Sequence, residues 1–166
     1  MAIASAASAQ VFTGTTVGGP TFNRPLANGV NAPTGLSGVA TAVRYSVFNF
    51  TVAVSGTYSI QSTSVLPTSW DNYTFLYQNA FNPASPLTNV VIGNDDNTTI
   101  GLSGFSKALT TGTQYFFVTT GFANADAGSF SNAYSGPAIV LAPEPGTFAL
   151  VGLMLLPAGL ALRRRK

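Results

Sequence analysis

The sequence predicts an all-β protein with one sandwich core. Three observations carry that reading. Hydrophobic residues between 11 and 142 recur at period two, Gly, Pro and Asn interrupt them at short intervals, and no stretch of useful length repeats at helical period. At 166 residues the chain has room for one domain of ordinary size and short appendages. Residues 10–142 form the expected domain, and the flanks 1–9 and 143–166 have a different character.

The strands follow in order. In RYSVFNFTVAVSGTYSIQS (Arg44 to Ser62), Phe48, Phe50, Val52 and Val54 share one face of an extended segment while Asn49 and Thr51 point the other way. Ser55-Gly56 then turns the chain into a second strand with Tyr58 and Ile60 inward, which reads as a hairpin. DNYTFLYQ (Asp71 to Gln78) supplies a third strand, TNVVIG (88–93) a fourth and FSKALT (105–110) a short fifth. TQYFFVTTGF (Thr113 to Phe122) is apolar on both faces, as a central strand should be. GSFSNAY (128–134) and PAIVLA (137–142) complete the set with fainter alternation. Seven to nine short antiparallel strands at this spacing favour a sandwich over a barrel.

Several of these stretches, VFNFTVAVSGTYSI, DNYTFLYQ, GNDDN (Gly93 to Asn97), LTTGTQYFFV (Leu109 to Val118) and AGSFS (Ala127 to Ser131), together resemble the bacterial pre-peptidase C-terminal domain and related jelly-roll sandwiches. The resemblance spans roughly residues 40 to 135 and implies a single jelly-roll-like β-sandwich; it also allows calcium at the Asp-Asp turn. Such a domain usually ends in a Gly-x-Tyr strand, where this chain has Gly128-Ser129-Phe130. GPTFNRPLANG (Gly19 to Gly29) lies outside the resemblance and is expected to add an edge strand and a loop.

Composition removes whole classes of function. Charged residues are 7% of the chain, against about 25% in ordinary soluble domains. Between Gln10 and Ala142 three cations (Arg24, Arg44, Lys107) face four anions (Asp71, Asp95, Asp96, Asp126), a net of −1 that leaves no footprint for nucleic acid. With no cysteine and no histidine there are no disulfides, thiolate nucleophiles or imidazole bases, and no zinc or haem sites built on those ligands.

The remaining chemistry rests on a few side chains. A glycosidase needs two carboxyls facing each other across about 5 to 10 Å, and adjacent Asp95 and Asp96 would point to opposite faces if extended. Ser37 and Ser103, each in a Gly-Leu-Ser-Gly context, lack both the final glycine of a nucleophile elbow and a base, so turns explain them better. No catalytic residue is expected. Asn94, Asp95, Asp96 and Asn97 form an oxygen-rich turn suited to calcium, which Asp71 or Asp126 could complete, or they simply cap a tight turn with their own side chains. Trp70, Tyr73 and Tyr77 could stack on sugar rings, or pack in the core.

The two ends argue for export. AIASAASAQVF (Ala2 to Phe12) looks like the last part of a secretory signal peptide, with Ala7-Ser8-Ala9 fitting the small-x-small cleavage rule before Gln10. At the other end, Gly146 to Leu162 are 17 residues without a charge. As a helix they would reach about 25 Å, a marginal span of a core about 30 Å thick. Arg163, Arg164, Arg165 and Lys166 would stay on the cytoplasmic side and hold the domain outside.

Pro143-Glu144-Pro145, the apolar run and the basic stop together closely resemble the PEP-CTERM sorting signal of bacterial surface proteins. That resemblance implies processing by the membrane transpeptidase exosortase and passage to the cell surface. The chain is then expected to be a membrane-anchored precursor that becomes a non-catalytic adhesive or structural protein of an exopolysaccharide matrix. A carbohydrate-binding module is the alternative reading, and a surface hydrolase a third.

Overall fold

Burial alternates along residues 57–63 and 129–135 as the period-two pattern requires, while residues 72–77 are buried on both faces. The computed structural model describes residues 8–68 and 70–141. They form ten strands: β1 (Ser8–Thr15), β2 (Thr21–Phe22), β3 (Val43–Val52), β4 (Gly56–Leu66), β5 (Asn72–Gln78), β6 (Val90–Asn94), β7 (Leu102–Leu109), β8 (Tyr115–Gly121), β9 (Ser129–Gly136) and β10 (Ile139–Leu141). One sheet runs β1-β9-β4-β7 and the other β10-β3-β8-β5-β6, with β2 also on β3. All pairings are antiparallel. The all-β sandwich is therefore as expected. Among the described residues no helix is long and apolar enough to cross a membrane. The expected C-terminal helix, Pro143-Glu144-Pro145 and the basic stop lie outside the described residues, as do residues 1–7 of the signal-like segment.

Three local expectations give way. The strands are not all short, β3 and β4 running to 10 and 11 residues. Ser55-Gly56 does not close a hairpin: β3 lies beside β8 in one sheet, while β4 lies between β7 and β9 in the other. The link is an arch, and it lets the apolar faces of β3 and β4 meet across the core, where a hairpin would point both the same way. Val54 falls on the arch beyond β3 and is 45% exposed, whereas Val52 is buried.

Between the sheets Phe50, Tyr58, Ile60, Leu76, Phe105, Phe117 and Tyr134 form the main core. The Phe117 ring lies 6.0 Å from that of Phe105 and 5.6 Å from that of Tyr134, spacing typical of aromatic pairs. A second cluster covers the far side of the six-stranded sheet. Tyr73, Phe75, Tyr77 and Val118 meet Phe22, Ala40 and Phe81 there. The stretch around the added edge strand β2 is thus a lid, and it explains why β5 and β8 are apolar on both faces.

Where β5 begins, the interior turns polar. Asn72 Nδ2 donates to Ser62 Oγ at 3.0 Å, Thr74 and Ser103 share a hydroxyl hydrogen bond of 2.7 Å, and Asn132 Nδ2 donates to Thr119 Oγ1 at 3.0 Å. All six side chains are fully buried. Each pair joins a strand of one sheet to a strand of the other. In a dry interior a polar group stripped of its partner costs about 1–3 kcal/mol. Asn72→Ala is therefore predicted to lower unfolding free energy by about that amount in urea titrations, at unchanged slope. Ser59→Ala, which breaks the exposed Ser59–Ser106 bond, should change it by less than about 0.5 kcal/mol. Equal effects would show that burial of the cross-sheet pairs is immaterial.

Candidate metal centre

The acids gather where β5 starts and β6 ends. Pairing of Thr74 with Asn94 brings the residues before β5 alongside those after β6. Ser103 Oγ donates to the Asn94 carbonyl at 2.9 Å, fixing the point where the chain leaves β6. One carboxylate oxygen from each of Asp71, Asp95 and Asp96 lies within 4.8 Å of the others. Asp71 and Asp95 are half-buried and Asp96 is exposed. Asp95 and Asp96 do not take opposite faces, because β6 stops at Asn94 and both sit in the turn beyond it.

Crowding shows in the electrostatics. Burial, reinforced by Asp95, Asp96 and Asp126 and opposed by Arg24, pushes the Asp71 carboxyl up to about 6. Burial and then Asp96 also raise Asp95, against the pull of Arg24. Oδ1 of Asp71 and Oδ1 of Asp95 are buried and accept no hydrogen bond. Two partnerless acceptors beside a third carboxylate are a donor set for a hard cation. Calcium takes six to eight oxygens at about 2.3–2.6 Å; this triad would supply three, with water and backbone carbonyls for the rest.

The other expected ligands have different duties. Asn94 Nδ2 donates to the Gly104 carbonyl at 2.7 Å, so this amide ties β6 to β7. Asp126 Oδ2 accepts from Ala123 N at 2.8 Å within its own turn, and its charge reaches the triad without its oxygens joining it.

Arg24 is the residue that sequence reasoning left as a mere count. It is 1% exposed, with its guanidinium carbon 3.9 Å from the centre of the Tyr73 ring. Its nitrogens donate to the carbonyls of Gly121, Phe122 and Pro25. Burial works against its charge, which Tyr73, Asp95 and Asp71 favour. The only signal in the sequence is an isolated cation between Phe22 and Pro25 in an otherwise uncharged stretch.

The aromatic platform is corrected outright. Trp70, Tyr73 and Tyr77 are 5%, 2% and 0% exposed, so none can stack on a sugar. Trp70 Nε1 donates to the Ser129 carbonyl, Tyr73 OH bonds both N and O of Ala27, and Tyr77 OH donates to the Pro86 carbonyl. Their polar atoms are spent inside the protein, as buried Tyr and Trp require.

Two concavities lie near the triad without including its acids. A groove of about 510 Å³ crosses the outer face of the four-stranded sheet, with Ser59, Gln61, Ser106 and Ser135 on the strands and Asn94 and Asn97 at one end. A smaller cavity of about 240 Å³ lies under residues 26–34.

No family model matches the chain, and neither does any curated protein. Among solved structures the chain is similar to a family 35 carbohydrate binding module from an environmental isolate, at 16% identity and a TM-score of 0.43 over 76% of this chain and 93% of that one. It is also similar to the CBM35 from Cellvibrio japonicus Abf62, at 14% identity and a TM-score of 0.39 over 81% and 97%.

The raised Asp71 carboxyl gives a test of the centre. In calcium-free protein its value of about 6 stands above the ordinary 3.8, so protonation favours the folded state. That contribution is complete below pH about 4 and is lost as pH rises through about 6. With EDTA present, Tm should fall between pH about 4.5 and 7 and be restored by millimolar calcium at pH 7. Asp71→Asn should flatten the fall and abolish the calcium effect. A variant that keeps the full calcium shift in scanning calorimetry contradicts the triad.

Proposed function

We propose that the chain is an exported, non-catalytic protein of the cell surface or extracellular matrix, adhesive or structural and associated with exopolysaccharide. Exosortase would process it at Pro143-Glu144-Pro145, after Arg163 to Lys166 had held the precursor in the membrane with its domain outside. One observation carries this reading: the order of residues 143–166, two prolines around a glutamate, 17 uncharged residues and four cations. The prolines block helix continuation and hold the processing segment extended.

The body of the protein suits that role. Its connections cross from sheet to sheet except at β2–β3 and β5–β6, a winding we read as jelly-roll-like. Calcium at Asp71, Asp95 and Asp96 would brace the end of the sandwich.

The second reading, a carbohydrate-binding module, is favoured by the uncharged groove on the four-stranded sheet. It would have to work without Trp70, Tyr73 and Tyr77.

Expression of the gene with and without exosortase tests the main reading. We expect a loss of mass matching removal of the residues beyond Pro-Glu-Pro, together with release from the membrane, only when exosortase is present. Identical mass and retention of the arginine end in both strains would contradict it.

A further inference from the structure

Two rungs of uncharged residues, one of three serines and one with a single glutamine between an alanine and a glycine, cross the outer face of the four-stranded sheet. Ser135 pairs with Ser59 and Ser59 with Ser106; two residues along, Ala133 pairs with Gln61 and Gln61 with Gly104. Ala133 and Gly104 keep the floor low, and the Asn97 amide, donating to Gln61 Oε1, stands at one end. Gln61 is held in place from below, its Nε2 donating to the carbonyls of Ser62 and Ser103.

The lining excludes most ligand classes. Not one charged side chain lines the groove, so neither an anion nor a nucleic acid backbone finds a counter-charge. Strand addition by a peptide would take the free edge of β1 or β7, whereas the groove lies across the face of the sheet, where β4 already has its ladders made with β9 and β7. Hydroxyls and amides that both donate and accept are left, facing a trough whose volume falls in the range of ligand sites.

We propose that this groove holds a short segment of neutral polysaccharide, with Asn97 and the rung serines hydrogen-bonding its hydroxyls. The proposal rests on the carbohydrate-binding reading above and supplies the site that the buried aromatics cannot. Without a stacking ring, single-site affinity is weak.

The test runs the full chain, in mild detergent with calcium, through native gels containing glucan, mannan or xylan, and in a parallel gel polygalacturonate. At least one neutral polymer should retard it. Ala133→Ile, which fills the floor with a good strand former, and Asn97→Ala should each weaken retardation about fivefold or more, with Tm within about 2 °C of the parent. Retardation by polygalacturonate alone, by no polymer at all, or equally in parent and both variants overturns the proposal. A chain that exosortase cuts correctly but no neutral polymer retards refutes the groove and the carbohydrate-binding reading together and leaves the sorting reading standing, whereas retardation unchanged in both variants refutes the groove alone. One retarded by a neutral polymer yet never cut supports the groove and refutes the sorting reading alone.

Discussion

A relay of two hydroxyls sets the geometry on which the acidic end depends. Ser103 spends its one hydrogen on the Asn94 carbonyl, so Thr74 must be the donor in the 2.7 Å bond between their hydroxyls. The relay fixes β5, the exit from β6 and the start of β7 against one another in the buried interior. Asp71 stands just before β5 and Asp95 and Asp96 just after β6, so a bond made for packing also decides how closely three carboxylates approach. The neighbouring pairs Asn72–Ser62 and Asn132–Thr119 stop the sheets from sliding over each other, which an apolar interface alone would tolerate.

That approach is costly unless a cation joins it. Arg24 lies close enough to pull on Asp71 and Asp95, yet its hydrogen bonds to the carbonyls of Gly121, Phe122 and Pro25 and its seat on Tyr73 hold it to the backbone. The carboxylates therefore keep buried lone pairs with no donor. A divalent ion would satisfy them and relieve their mutual repulsion in one step, which a proton on Asp71 does only in part.

Much of the fold was legible because each strand carries its own pattern. Tyr58 and Ile60 alternate with polar residues and are buried, and β8 reads as central because both its faces are apolar. Pairing was not legible: an arch and a hairpin present the same local Ser-Gly signal. β1 was hidden because Phe12 is its one large apolar residue packed on the core, while Val11 is 67% exposed. The site was half legible. Oxygen-rich composition pointed to Asp71, Asp95 and Asp96, but which acids converge depends on the β5–β6 register. Tyr73 and Tyr77 misled for a related reason. Their face of β5 is closed by Phe22, Ala40 and Phe81, two of them distant in sequence, and no local pattern announces a lid.

The claim at the centre of this account is that cross-sheet hydrogen bonding holds Asp71, Asp95 and Asp96 as one cation site. The most direct measurement is a crystal structure of the protein grown with calcium. The account predicts an ion bonded at about 2.3–2.6 Å to one oxygen from each of the three. An ion bound elsewhere, or three carboxylates turned apart into solvent with no ion between them, would contradict it.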